Sequence, residues 1–185
     1  QFHGAHNATA EREALFDAAL RGATADLPEQ LTLTQVRAAA QELHSPIPDI
    51  FVSSMAMNSA RRPEGTAADD RILGNFGAAW TTATVLSSTS AVDKLLHYKL
   101  FGVGWGLTNP RGEPNPVYHA AWLLHTYAPR GATLCQLLNP TDDVLIAAVW
   151  TPTARNAFVV HAGEGQRAVV LEAVGVGEPL MVRER

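Results

Sequence analysis

One cysteine in 185 residues, Cys135, excludes an internal disulfide and any zinc site built from cysteines. Cys135 reads as a small apolar residue in a strand. No stretch of about 20 apolar residues is present to cross a bilayer as a helix, so no membrane partner is expected. Basic runs are absent too. With a formal net charge of −4 the chain has no means of neutralising phosphates in series, and no nucleic-acid partner is expected. Charged residues make up only 17%, against 46% hydrophobic, which is the balance of a globular chain and not of a disordered one. The sequence opens on Gln1-Phe2-His3, with neither methionine nor a charged-then-apolar leader. The expectation is a start inside a longer protein, or a removed leader, and the compartment is not legible from this end.

Helical spacing appears first at Glu11 to Arg21, with Ala14, Leu15, Ala18 and Ala19 on one face. Thr34 to Leu43 predicts a second helix, capped by Thr32 or Thr34, with Val36, Ala39, Ala40 and Leu43 inward and Pro46 and Pro48 beyond its end. Asp49 to Ser53 is a short apolar run between turn signals, which predicts a buried parallel strand. A polar loop then leads to a helix over about Asp69 to Ser87, carrying Ile72, Phe76, Ala79, Trp80, Ala83 and Leu86 at the three-four rhythm. Lys94 to Leu100 predicts the next strand, and Pro116 opens a helix to about Tyr127, where a missing N–H costs nothing.

Helix, strand and helix alternate up to Pro129, as in βα units around a parallel sheet. After it come β-rich runs at Thr133–Leu138, Val144–Trp150, Ala157–His161 and Ala168–Ala173, separated by turn residues. This pattern predicts an antiparallel meander or part of a sandwich, with the boundary at about residues 128–132. The glycines of Gly102-Val103-Gly104-Trp105-Gly106 do not make a phosphate cradle: the third glycine is not at the spacing such a turn needs and no helix opens there. No cofactor is expected.

Four segments together resemble one family. Phe2-His3-Gly4-Ala5-His6 is similar to the end of barrel strand six in retaining glycoside hydrolases of the β-xylosidase and α-L-iduronidase type. Ile50-Phe51-Val52-Ser53-Ser54 resembles strand seven, and Leu96-His97-Tyr98-Lys99-Leu100-Phe101 resembles strand eight. Gly104-Trp105-Gly106-Leu107-Thr108, followed by Gly112-Glu113-Pro114-Asn115-Pro116-Val117-Tyr118-His119-Ala120, resembles the passage into the last helix and is the most specific of the four. The resemblance implies an α/β chain: a partial TIM (β/α)8 barrel, strands six to eight, over residues 1–130, and a small antiparallel, sandwich-like β-domain over 131–185. A whole barrel needs about 250 residues, so the first five strands and the acid/base glutamate that ends strand four are expected upstream. The family association implies a secreted or cell-envelope parent.

A retaining glycosidase needs two carboxyl groups about 5–5.5 Å apart. The resemblance puts the nucleophile at the end of strand seven, where glutamate is expected and Ser54 stands. A serine hydroxyl carries no charge to stabilise an oxocarbenium-like centre, so a glycoside hydrolase fragment inactive as it stands is expected. Glu64, ten residues on in a polar loop beside Arg61 and Arg62, is the nearest substitute carboxylate and also reads as a solvated loop residue. His3, His6 and Asn7 form a polar cluster at the mouth of strand six, which the resemblance makes a sugar contact; two histidines without further ligands make no metal site. Tyr98 and Trp105 are candidate sugar platforms, since an aromatic face stacks on the C–H face of a pyranose, and the expected partner is carbohydrate. Trp80, Trp122 and Trp150 read as packing residues, His97 and His119 as structural. Two other functions remain open: a non-catalytic, glycan-binding descendant of such an enzyme, and a simple interaction module. An isolated barrel piece would expose strand edges and is expected to self-associate.

Overall fold

The computed structural model describes residues 2–5, 11–22, 33–46, 49–58, 70–90, 92–97, 99–102 and 105–169. Within them lie helices and two three-stranded sheets, one parallel and one antiparallel. The parallel sheet is formed by β1 (Phe2–Ala5), β2 (Phe51–Asn58) and β3 (Lys94–His97), side by side in chain order. Phe2 pairs with Met55 and Ala5 with Asn58, and on the other side Phe51 pairs with Lys94 and Met55 with His97. Between β1 and β2 the chain forms α1 (Arg12–Arg21) and α2 (Leu33–Glu42); between β2 and β3 it forms α3 (Asp70–Leu73) and α4 (Asn75–Ser88).

The buried stripe of α1 is Leu15, Phe16, Ala18 and Ala19, so Phe16 takes the inward place expected for Ala14, which is exposed. A larger side chain beside Leu15 fills the gap between α1 and α4, which a methyl group would leave open. In α2 Ala40 is buried, whereas Leu43 lies past the helix end and is exposed. The single long helix expected from about residue 69 is two helices broken at Gly74, whose extended backbone (φ −85, ψ −169) caps α4. The three-four rhythm survives the break because Ile72, Phe76, Trp80, Ala83 and Leu86 still reach one core. Trp80 is its centre: it is fully buried, and its indole N–H donates to the Leu15 carbonyl at 2.9 Å. The break needs Gly77, where a Cβ would overlap the Ile72 carbonyl.

Helices α1 and α4 cover one face of the parallel sheet through Val52, Met55 and Met57 of β2. Among the described residues the opposite face is left open. Phe51 and Leu96 are 54% and 53% exposed there, next to exposed Ser53 and Lys94, and the Lys94 ammonium lies 4.7 Å from the Phe51 ring.

α5 (Pro116–Tyr127) packs on α4 through Val117, Ala120 and Leu124 and leads into the antiparallel meander β4 (Thr133–Thr141), β5 (Val144–Trp150), β6 (Arg155–His161). The first two strands turn at Asp142-Asp143, at the end of the turn signal that runs from Asn139 to Asp143, because β4 continues to Thr141 opposite Val144. Of the fourth β-run expected, residues 168–169 are not in a strand and residues 170–173 lie outside the described residues. Trp122 and Trp150, read as packing residues, are about half exposed instead. Trp122 lies off the Val117–Leu124 stripe and meets Tyr127 edge to face; Trp150 ends β5 beneath the Arg155 guanidinium. Cys135 is in a strand as expected, but exposed.

Leu145, Ala147, Val149, Val160 and Ala162 of the meander join the same buried cluster as Trp80 and Phe76. Arg12 fastens the two layers: its guanidinium lies 4.5 Å from the Phe76 ring centre, donates to the Ala162 carbonyl at 3.0 Å and faces Glu164 at 3.5 Å. Among the described residues no helix is long and apolar enough to cross a membrane.

Gly77→Ala is expected to lower stability by about 1–3 kcal/mol, the usual cost of forcing an extra methyl into a packed contact. A urea melt reads it as a lower midpoint, and an unmoved midpoint would contradict the crowding at Ile72.

Candidate functional site

Functional groups of a parallel α/β sheet gather where the strands end in the C-terminal direction. Here those ends are Ala5, Asn58 and His97. Ala5 and Asn58 are paired, while His97 pairs with Met55, so β2 runs on past the end of β3.

Ser54 is not at a strand end. It lies four residues before Asn58, where the β2–β3 register shifts between Val52 and Met55. Such a shift places an extra residue in one strand and re-aims the side chains around it. The strand continues because Met55, Ala56 and Met57 are buried. Asn58 therefore holds the end position, a residue the sequence reading passed over; its signal was the apolar run before it. Neither Ser54 nor Asn58 is a carboxylate.

Of the other candidates, His3 is in β1 with its backbone beside Ala56, and its side chain lies outside what is described. His6, Asn7, Glu64 and Tyr98 lie outside the described residues. Trp105 is described, and the structure brings it back to the end of β3. Its carbonyl accepts the Lys99 N–H at 3.1 Å and the His97 Nε2–H at 2.9 Å, while its side chain is half buried against the core.

The loop around Trp105 is built by the residues that carry the resemblance. Leu107 and Thr108 donate to the Lys99 and Leu100 carbonyls at 3.0 Å each, folding the chain back on the extension of β3. Asn115 donates from Nδ2 to the Gly106 carbonyl at 2.9 Å and from its backbone to Leu107 at 2.9 Å. A Cβ at Gly106 would overlap the Thr108 carbonyl, so the fold-back closes only on glycine. Asn109 holds the next turn: its Oδ1 accepts the Arg111 and Glu113 N–H groups at 2.8 and 3.0 Å, and its Nδ2 donates to the Glu113 carboxylate at 2.6 Å.

Two ionisable groups depart from their ordinary behaviour. Burial holds the His97 imidazole below its usual value of 6.5, opposed by its bond to the Trp105 carbonyl. Asp143, at the β4–β5 turn, is lowered to about 2 by the Thr141 hydroxyl at 2.7 Å and then by Arg167 at 2.9 Å; His161 Nε2 is 3.3 Å away. A cavity of about 610 Å³ adjoins this turn, between Phe16, Phe76, Arg12, Asp143 and Arg167, and one of about 450 Å³ separates α4 and α5 from β6. Neither is lined by Ser54, His97 or Trp105. Among the described residues no group of three or more histidine, cysteine or acidic side chains is placed to hold a metal ion.

No family model and no curated protein matches the chain. Among solved structures it is similar to a monomeric β-xylosidase from Caulobacter crescentus CB15, at a TM-score of 0.37 and 16% identity. The similarity covers 66% of this chain and 27% of that one, and no residue role is taken from it.

The pH dependence has a definite sign. The folded chain takes up the His97 proton at lower pH than the unfolded chain, so the unfolded state binds more protons as pH falls below 6.5, and stability is lost there until the folded value is passed. Asp143 acts in a lower window: its contribution is present above 3.8 and is lost as pH falls towards about 2. Urea melts across these windows are expected to show His97→Gln flattening the upper step and Asp143→Asn the lower one; an unchanged upper step in His97→Gln would contradict the assignment.

Proposed function

We propose that this chain is the C-terminal part of a glycoside-hydrolase-type (β/α)8 barrel, of the β-xylosidase and α-L-iduronidase kind, with residues 131–185 as its following β-domain. It faces a poly- or oligosaccharide at the strand ends and does not cleave O-glycosidic bonds as it stands. The observation that supports this most is the winding of the parallel sheet. Its strands follow chain order with α1 and α4 on one face, and Phe51, Ser53, Lys94 and Leu96 bare on the other. Doubly wound sheets cover both faces with helices; a barrel covers its inner face by closing on itself. A three-stranded arc wound on one side is what part of a barrel looks like.

Trp105, with Tyr98, His3, His6 and Asn7, is the sugar-facing set in this reading, the aromatic rings stacking on pyranose C–H faces and the polar groups taking hydroxyls. Retaining hydrolysis needs a carboxylate nucleophile on β2 and a second carboxyl group as acid/base, and no cofactor or metal. From Phe51 to Asn58 β2 offers no carboxylate, which favours glycan binding without turnover over a working hydrolase. Glu64 is the substitute that would have to swing in for turnover.

The chain is expected to leave aryl β-xylosides uncleaved above the buffer rate and to be retarded in native gels containing soluble xylan. Measurable turnover that is lost in Glu64→Gln would overturn the inactive reading and make Glu64 its nucleophile. Size-exclusion chromatography is expected to show oligomers, from the open strand edges and bare face; a monodisperse monomer would contradict the open arc.

A further inference from the structure

We propose that His97 is the positioning residue of the proposed glycan-facing loop, its Nε2–H fixing Trp105 against the end of β3. The proposal rests on the glycan-binding reading for what the loop is positioned to do, and on geometry for the positioning itself.

The carbonyl of Trp105 is an acceptor only, so the 2.9 Å contact requires the proton on Nε2. The tautomer is thereby set, and Nδ1 is left as a bare acceptor. Nδ1 is buried and has no partner among the described residues. An apolar side chain would carry no such burden: Met55, its partner across the sheet, is buried with nothing unsatisfied. What an imidazole does here that an apolar residue does not is donate to Trp105.

The other backbone bonds described here run within the loop or to the start of α5. Lys99 with Trp105 and Leu107, and Leu100 with Thr108, pair the two limbs of the fold-back with each other, and Asn115 ties Gly106 to the start of α5. His97 is the last residue of β3 itself, so its bond alone among these refers Trp105 to a side chain of the sheet. A ring held before the ligand arrives does not lose its freedom on binding, and that difference appears as affinity.

The test compares His97→Gln with His97→Asn. The glutamine amide nitrogen reaches the place of Nε2 and keeps the donor; the asparagine amide is one methylene short and loses it. Both are polar and smaller than histidine, so a general loss of packing affects them alike. Hydrogen exchange read by mass spectrometry on peptides spanning residues 99–108 is expected to quicken on the order of fivefold to tenfold in His97→Asn, the worth of one hydrogen bond, and to stay near the wild-type rate in His97→Gln. Peptides from α4 report whether either variant has loosened as a whole. Retardation by xylan is expected to weaken by a similar factor in His97→Asn and to recover in His97→Gln. Equal loop exchange in all three proteins would overturn the positioning role. Faster loop exchange in His97→Asn alone, with no retardation of the wild type by xylan, would leave the positioning standing and overturn the glycan reading.

Discussion

The buried indole of Trp80 donates to the main-chain carbonyl of Leu15, and the two helices that carry these residues are set against each other by that bond and by the apolar surface around it. An indole N–H without a partner in such a place would be costly, so α1 must present a carbonyl there. It does so at the helical turn that also delivers Leu15, Phe16 and Ala19 to the sheet. The break at Gly74 and the tight approach at Gly77 follow from the same demand: α4 has to start close enough to α3 for Phe76 and Trp80 to fall under α1.

With helices gathered on one side, the other side of the parallel sheet is left open among the described residues. Phe51 and Leu96 are exposed there, and Lys94 lies over the Phe51 ring. The two larger cavities described lie at the seam with the meander and between α4, α5 and β6. At the ends of the parallel strands the described residues place the Trp105 loop, folded back on β3, and Asn58 as the last residue of β2.

Much of this architecture was legible because it rests on periodicity. The apolar rhythm of Ile72 to Leu86, the prolines around Ile50 and the change of grammar after Pro129 each reflect a face that must be buried, and each element formed. The failures have a common cause in positions where two local signals compete. The resemblance put a strand end at Ser54, yet Met55-Ala56-Met57 had more to gain by continuing the strand, which ends at Asn58. The run from about Asp69 to Ser87 read as one helix, but the extended backbone of Gly74 divides it. Trp122 and Trp150 read as packing residues because each lies in a regular element, whereas helical phase and strand alternation turn both outward. His97 was passed over as structural; only the fold-back of the loop, which brings a carbonyl eight residues away to its Nε2, gives it a task.

The grammar of the sequence divides the chain near residue 130, yet the buried cluster does not. Leu145, Val149 and Val160 pack into the group that contains Phe76 and Trp80, and Arg12 reaches from the first helix to the end of the last strand. A protease cut in the short connection after α5 would therefore leave part of that buried cluster facing water on either side of the cut.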